Sequence, residues 1–388
     1  MTSTVASERW AQVVGQDRAV AQLQRAAERP VHAYLLVGPR GSGIEEAARC
    51  FAAAVVAPDG NDRSWDLVLR GVHPDVVEVD PPATQIRVED AQLIVDEASR
   101  SPIEGERKVI LLFDAERLRL NEAAANKLLK TLEEPPPRAM IVLVTSGADQ
   151  LLPTIRSRCQ RVDFAFLGAE SVAAALRADG VAPERAELLA RLAGGRLDRA
   201  RALDGGLGPV RQAFVEAAGA VDGSGGAVAI QAALVQDALQ GAVTELEAAQ
   251  AEEAEELAEQ LEAAGYPERT QRAQLRRLDE RHKRAHRRAR TDALLEGIIA
   301  LETVYRDALA GPGAELLNLD REVLAVSPRG AAAALDACRE ARQAIAEFNP
   351  NETLLIERLL LHLPAAGESR DVRHGPRVAP GTLTAAPE

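Results

Sequence analysis

Aromatic residues make up only 3% of this 388-residue chain. Ala, Leu, Arg and Glu dominate instead, which points to a mostly helical protein. Cysteine is equally sparse. Cys50, Cys159 and Cys338 lie far apart with no C-x-x-C spacing, so the sequence offers neither a zinc site nor a disulfide framework, and free thiols in a reducing compartment are expected. No apolar run approaches the ~20 residues that a membrane span requires. Met1–Trp10 lacks the charged-then-apolar pattern of a secretory signal. Cytoplasmic localisation with no membrane contact is the expectation that follows. Excess positive charge is also missing. A net charge of −13 argues against binding nucleic acid by bulk attraction, although it leaves room for a local basic surface. What remains, 46% hydrophobic and 27% charged, describes a globular chain long enough for two or three domains.

The most informative motif is a phosphate-binding loop without its phosphate-binding side chains. The apolar run Ala33-Tyr34-Leu35-Leu36-Val37 leads into Gly38-Pro39-Arg40-Gly41-Ser42-Gly43-Ile44-Glu45, in the frame G-x-x-x-x-G-K-[ST]. In a working Walker A loop the Lys contacts the β/γ-phosphates and the hydroxyl binds Mg²⁺. Here Ile44 brings no charge and Glu45 places a carboxylate where a polyphosphate would lie. Gly38 and Gly43 preserve the turn, so the backbone shape is expected to outlive the chemistry. Glu45 and Glu46 fall in the first turn of the following helix, where the dipole favours negative charge by ~0.3–1 kcal/mol each. The chain thus answers internally a helix terminus that could otherwise bind phosphate.

A second catalytic element is altered in the same direction. The strand-like run Val109–Phe113 ends in Asp114-Ala115-Glu116. Asp114 stands where a Walker B Asp holds Mg²⁺, but the water-activating Glu is replaced by Ala115. Glu116, one residue later, projects differently and substitutes poorly. Two altered elements are better explained by a retained fold and an abandoned hydrolysis than by one unusual variant.

Residues 15–165 alternate strand-like and helix-like runs, with strands expected at Val31–Val37, Val76–Asp80, Val109–Phe113 and Met140–Thr145. Helices are expected at Ile44–Ala57, Val88–Ser99 and Asn121–Leu132, the last stopped by Pro135-Pro136-Pro137. That alternation implies a parallel sheet covered on both faces. Residues 166–206 read as a small helical domain of three helices, Ala169–Ala178, Pro183–Leu192 and Leu197–Leu203, punctuated by Gly180 and Gly194-Gly195. A long helical region follows. Glu245–Glu262 holds eight acidic residues and no basic ones, whereas Arg269–Arg290 holds ten basic and two acidic. With Gly265-Tyr266-Pro267 between them, the two arms read as an antiparallel helical hairpin, acidic facing basic. Two unrelated solvated helices, or a basic arm that touches DNA or a partner, are the alternatives. Residues 331–363 are amphipathic helix, and the Pro-, Gly- and charge-rich tail from Ala365 is expected to be disordered.

Ser157-Arg158-Cys159 closes Thr154-Ile155-Arg156-Ser157-Arg158-Cys159, after the Met140–Thr145 strand. An Arg at a domain edge can reach a neighbouring subunit's γ-phosphate, because its planar fork is always charged. In isolation such a tripeptide is as well explained by a surface Arg without a partner, and Cys159 by a small buried hydrophobe.

Four motifs in order change that balance: Val13-Val14-Gly15-Gln16, the Gly38–Gly43 loop, Asn126-Lys127-Leu128-Leu129-Lys130-Thr131-Leu132-Glu133-Glu134-Pro135-Pro136, and Thr154–Cys159. Together they resemble the clamp-loader branch of the AAA+ superfamily, and the lost Lys and the Asp-Ala pair resemble its non-hydrolysing members. Phe348-Asn349-Pro350-Asn351 before Leu354–Leu363 is similar to the last collar helix of such subunits.

The resemblance implies an α/β AAA+ parallel-sheet module with a degenerate P-loop (1–165), a helical lid (166–206) and an all-α collar (207–363). The charged hairpin (about 244–290) would be an insert, and the disordered tail would cover 364–388. It further implies a pentameric loader containing a delta subunit and three gamma/tau-type ATPase subunits, which acts on a sliding clamp and primed DNA. In that setting Arg158, with Ser157 and Cys159, is the arginine finger given in trans to the adjacent ATPase. Gly38, Gly43, Ile44, Glu45, Asp114, Ala115 and Thr145 mark the vestigial nucleotide site, with no catalytic residue in cis, no cofactor and no metal. Many relatives carry a four-Cys zinc module that residues 58–85, which lack Cys, cannot form. Arg196 and Arg199, beside Gly194-Gly195, stand where a lid places a sensing Arg. The competing expectations are a divergent active ATPase of the motor type and a DNA-binding module built on Arg269–Arg290.

Overall fold

The computed structural model describes residues 9–79, 86–310, 313–348 and 350–365. Asp80, Asn349 and all but the first two residues of the 364–388 tail therefore lie outside the described residues. Compact contacts divide the chain into two units, one made of residues 1–211 and 237–296, the other of 212–236 and 297–388.

In the first unit, helix α1 (Asp17–Glu28) leads to strand β1 (Ala33–Val37), and α2 (Ile44–Val56) follows the glycine loop. Then come α3 (Asp62–Leu69), β2 (Val76–Val79), α4 (Val88–Ala98), β3 (Lys108–Leu112), α5 (Glu122–Glu133), β4 (Ala139–Thr145), a short α6 (Pro153–Arg156) and β5 (Gln160–Asp163). The sheet order is β2-β3-β4-β1-β5, and every pairing is parallel. Apolar residues fill both faces by the two-residue alternation of a strand. Tyr34, Leu36, Val109, Leu111, Val142 and Val144 pack on one side with Leu23 and Phe51. Leu35, Ile110, Leu112, Ile141 and Leu143 pack on the other with Ile94, Leu128 and Leu132. The expected doubly covered parallel sheet is present, and the expected strands and helices fall within a residue or two of their places.

The element that sequence reading missed is β5. Its residues Gln160-Arg161-Val162-Asp163 are exposed except for Val162. A polar edge strand has no apolar run to announce it. Pairing with β1 makes it a strand, through the register Leu36↔Val162 and Val37↔Asp163.

Three helices follow the sheet: α7 (Ala169–Ala178), α8 (Pro183–Ala193) and α9 (Leu197–Asp204), then α10 (Leu207–Ala220). Next come the two longest helices, α11 (Gly225–Ala263) and α12 (Glu268–Leu309). Gly265, at φ +69°, turns the chain between them. Their arms meet through an ion pair and two histidine contacts: Arg281 of α12 pairs with Glu253 of α11, His282 Nε2 lies 2.7 Å from the same carboxylate, and His286 Nε2 lies 2.8 Å from Glu247. The hairpin tip is anchored on the α/β core. Leu257, Leu261 and Leu278 are buried with Leu67 and Val72, and the Arg63 guanidinium stacks 3.5 Å above the Tyr266 ring. Residues 237–296 thus belong to the same unit as the sheet.

The second unit includes α13 (Pro328–Glu347) and α14 (Glu352–Leu361). Buried Asp307 organises the loop between α12 and α13, accepting hydrogen bonds from the Leu317 and Asn318 backbone N–H groups and from Asn318 Nδ2.

The turn into β2 carries a buried titratable cluster. Asp75 is inaccessible to solvent and accepts the backbone N–H groups of Ile103, Glu104 and Gly105 at 2.6–2.7 Å. His73, also fully buried, takes the Asp75 N–H on Nδ1. Burial lowers the His73 pKa to about 4; Asp75 opposes that shift, and Lys108 and Arg277 add to it. Glu104 is the remaining charged neighbour, 3.9 Å from Nε2. The unfolded chain takes up this proton near pH 6.5 and the folded chain only near 4, so the unfolded state binds more protons between those values. The His73 contribution to stability is complete above pH 6.5 and is lost as pH falls toward 4, by about 3 kcal/mol at the limit. Urea midpoints of wild type and His73→Gln, followed from pH 7.5 to 4, should converge as the pH drops, with the wild type showing the steeper decline.

Candidate functional site

The carboxyl ends of β1, β3 and β4 converge on one edge of the sheet, where ligands of open α/β sheets are bound. The register aligns Val37 with Thr145, and the Gly38 N–H donates to the Thr145 carbonyl at 3.1 Å. Gly38 must be glycine: a Cβ there would stand 2.5 Å from that of Phe164. Gly43 caps α2 in the left-handed region at φ +89°. Gln16, from the Val13–Gln16 motif, clasps the loop from behind, donating to the Ser42 and Ala165 carbonyls and accepting the Ala165 N–H.

The side chains at the loop's functional positions face different ways. Ile44 is 1% exposed and belongs to the apolar core beside Val13 and Ala47. Glu45 is half-buried, and burial raises its pKa; Glu46 and, less, Asp198 add to the effect, while its backbone hydrogen bond and Arg40 oppose it. Asp198, in the first turn of α9, lies against the loop itself. A Cβ on Gly41 would sit 1.7 Å from its Oδ1, and the Leu197 N–H donates to the Gly41 carbonyl at 3.0 Å. Three carboxylates (Glu45, Glu46 and Asp198) therefore surround a loop that has no lysine.

Asp114 adopts φ +50°, the left-handed exception among described non-glycine residues. Its carboxylate is engaged by Arg117 at 2.6 Å and, more distantly, by Arg40 at 3.9 Å. Ala115 is fully buried at the start of a short 3₁₀ turn. Glu116 turns onto the end of β4, where it accepts hydrogen bonds from Thr145 Oγ1 at 2.7 Å and Ser146 Oγ at 2.9 Å. The acidic residue that sequence reasoning set aside is thus the partner of Thr145. No sequence signal marks that contact, which exists only because β3 and β4 are neighbours.

The loop residues Gly38, Ile44 and Glu45 share a cavity of about 620 Å³ with Asp114 and Thr145. Its opposite wall comes from the hairpin, through Ala249, Ala285 and Ala289 among others. Arg49 also lines it, but its guanidinium is committed to Glu78 by two hydrogen bonds of 2.7 and 3.0 Å and is not free to replace the missing lysine. Among the described residues no cluster of three or more His, Cys, Asp or Glu is placed to hold a metal ion.

Arg158 lies apart from this cavity, just beyond α6. Its Nη2 pairs with Glu133 at 2.7 Å and its Nη1 donates to the Thr154 carbonyl at 2.8 Å, and the side chain remains 34% exposed. The partner Glu133 ends α5, so two of the sequence motifs meet here. Ser157 Oγ also accepts from Arg158, and Cys159 packs toward the core, where burial pushes its thiol up to about 12. Of the two candidate lid arginines, Arg196 pairs with Asp198 at 2.7 Å. Arg199 makes two hydrogen bonds, of 2.8 and 2.7 Å, with the carboxylate of Glu296.

Residues 15–167 match the family model described as DNA polymerase III, delta subunit. DNA polymerase III subunit delta' of Bacillus subtilis is 34% identical over 171 residues, 42% of this chain and 51% of that protein. The delta' subunit of Pseudomonas aeruginosa is 38% identical over 137 residues, 33% and 41% respectively. The tau subunit of B. subtilis is 34% identical over 174 residues, 42% and 30%. The chain spans about half, or less, of the length of these relatives. A gamma subunit-related protein of Thermotoga maritima superposes with a TM-score of 0.39 at 20% identity, covering 89% of this chain and 98% of that one. Through its sheet module, this chain resembles the delta' subunit of the DNA polymerase III clamp loader.

Proposed function

We propose that the chain is a non-hydrolysing clamp-loader subunit of the delta' kind, a part of the DNA polymerase III assembly that lends Arg158 to the nucleotide site of a neighbouring gamma/tau-type ATPase subunit. With delta it would help to load the sliding clamp on primed DNA. The observation that carries the first half is the fate of the lysine position. Ile44 is buried in the apolar core, so nothing at that position reaches a phosphate, and Glu45 and Glu46 in the first turn of α2 add negative charge beside the loop where a polyphosphate would need positive. Asp114 is spent on Arg117, and Ala115 has no base to offer. ATP binding and hydrolysis would reside in the partners.

The second half rests on the posture of Arg158. It is half-exposed and held by Glu133 and a backbone carbonyl, which orients the fork at little energetic cost. An exposed pair of this kind is worth about 0–1 kcal/mol and yields readily to a γ-phosphate, to which an arginine binds more strongly.

A second reading, an active ATPase, draws on the 34% identity to a tau subunit. It requires a cation that contacts phosphate at the loop. Arg40 is the candidate, and it leans on Asp114 from 3.9 Å.

Titration of the purified chain with a fluorescent ATP analogue should show no saturable binding, and the chain alone should release no phosphate. Turnover abolished by Arg40→Ala would establish the second reading instead. In a reconstituted loader, Arg158→Ala should leave folding and assembly intact while slowing hydrolysis at the one site it serves, on the order of 10³-fold or more. Unchanged DNA-stimulated ATPase in that complex would remove the finger role.

A further inference from the structure

Helix α12 touches the sheet module at one place and the three-helix segment α7–α9 at another, and the vestigial pocket lies between the two contacts. At the first, Leu278 is buried with Leu67 and Val72, Arg277 donates to the His73 carbonyl at 3.1 Å, and Arg281 donates to the Arg70 carbonyl. At the second, Glu296 receives both prongs of Arg199, whose Nη1 also donates to the Leu192 carbonyl at the end of α8. From Arg281 to Glu296 the helix rises roughly 22 Å, and over that stretch Ala285 and Ala289 line the pocket.

The two contacts hold firmly. The Arg199 and Glu296 side chains are 14% and 7% exposed, so neither charge regains full hydration unless the pair separates, and breaking such a pair is costly because it strands a buried charge. The Leu278 site is a dry apolar cluster. By contrast, the ion pairs on the outer face of α12, Arg272–Glu268 and Lys283–Asp279, are exposed i,i+4 pairs that contribute little.

We propose that α12 is a built-in strut that pins the α7–α9 segment to the sheet module across the vestigial pocket, with Arg199 and Glu296 as its positioning pair. Ligand-driven closure of one body on another requires a ligand that binds the closed state better. On that reading the pocket, with Ile44 in the lysine position and its Arg49 and Arg281 engaged by Glu78 and Glu253, recruits no nucleotide for that purpose, and α12 supplies the closure by permanent contacts. The inference rests on the reading of the pocket as vestigial. It gives the long charged hairpin a task within this subunit, and it reassigns Arg199 from a candidate sensor to a fastening.

The test measures a distance in the full-length chain. Spin labels are introduced through a noncanonical amino acid at exposed Glu122 on α5 and exposed Glu187 on α8, which leaves the native cysteines in place. Pulsed dipolar spectroscopy of the parent should give one narrow distance. Arg199→Glu and Glu296→Arg should each lose it to a broad distribution, and the charge-swapped double variant should restore it. Single reversals that stay folded and keep the narrow distance would overturn the proposal, as would a folded double variant that fails to restore it. Should the single variants not fold, Leu261→Ala with Leu278→Ala loosens the far contact instead. It should broaden the same distance, and an unchanged distribution would again refute the strut. Nucleotide binding by the parent chain would refute the reading of the pocket as vestigial without altering this distance measurement, so the two ideas fail separately.

Discussion

The parallel pairing of β1 with β4 is the constraint from which the rest follows. It aligns Val37 with Thr145 and closes through the Gly38 N–H on the Thr145 carbonyl, so the glycine loop must emerge beside the end of β4. The β3–β4 pairing then delivers Asp114 and Glu116 to the same edge. A one-residue slip would send every strand side chain to the opposite layer, and both layers are packed. The outline of the site is therefore preserved by the core, whether or not a ligand uses it. On the proposed reading, this is how a phosphate-loop shape outlives its chemistry: packing of the core alone maintains it.

The side chains around the site, by contrast, turn inward or toward one another. Ile44 joined the core, Asp114 joined Arg117, Arg49 joined Glu78, and Glu116 joined Thr145 and Ser146. Each pairing satisfies a polar or charged group that would be expensive to leave bare near the sheet edge. Among the described residues Glu45 has no such partner, and burial raises its pKa.

Much of the α/β layer was legible in the residues because its signals are local. The runs Ala33–Val37 and Met140–Thr145 are apolar without interruption, as strands buried on both faces must be, and Pro135-Pro136-Pro137 marks the end of α5 without ambiguity. Ile44 and Ala115 were readable as substitutions against a fixed frame. The edge strand β5 was not legible, since three of its four residues are exposed. Nor were the contacts that decide roles. Asp198 against Gly41 spans 157 positions, and Arg199 with Glu296 spans 97. No periodicity connects such distant residues, and only the folded chain brings them together.

The charged arms carry a signal that reads in two ways. Ten basic residues within Arg269–Arg290 taken alone suggest a surface awaiting an anionic partner, whereas the acidic run Glu245–Glu262 before them suggests a partner within the chain. In the folded chain Arg281 faces Glu253 and the Arg70 carbonyl, Arg277 faces the His73 carbonyl, and His282 and His286 face Glu253 and Glu247. Long side chains of opposite sign suit a hairpin that must hold register over many turns, because each cross pair opposes the like-charge contact that a slip would create. Apolar Leu257, Leu261 and Leu278 at the tip supply most of the attachment, since burying each is worth about 1.5–3 kcal/mol. The charge division therefore acts first as an alignment code between two arms of the same chain. Exposed Arg272 and Arg276 are available to a partner only to the extent that their i,i+4 carboxylates, Glu268 and Glu280, release them.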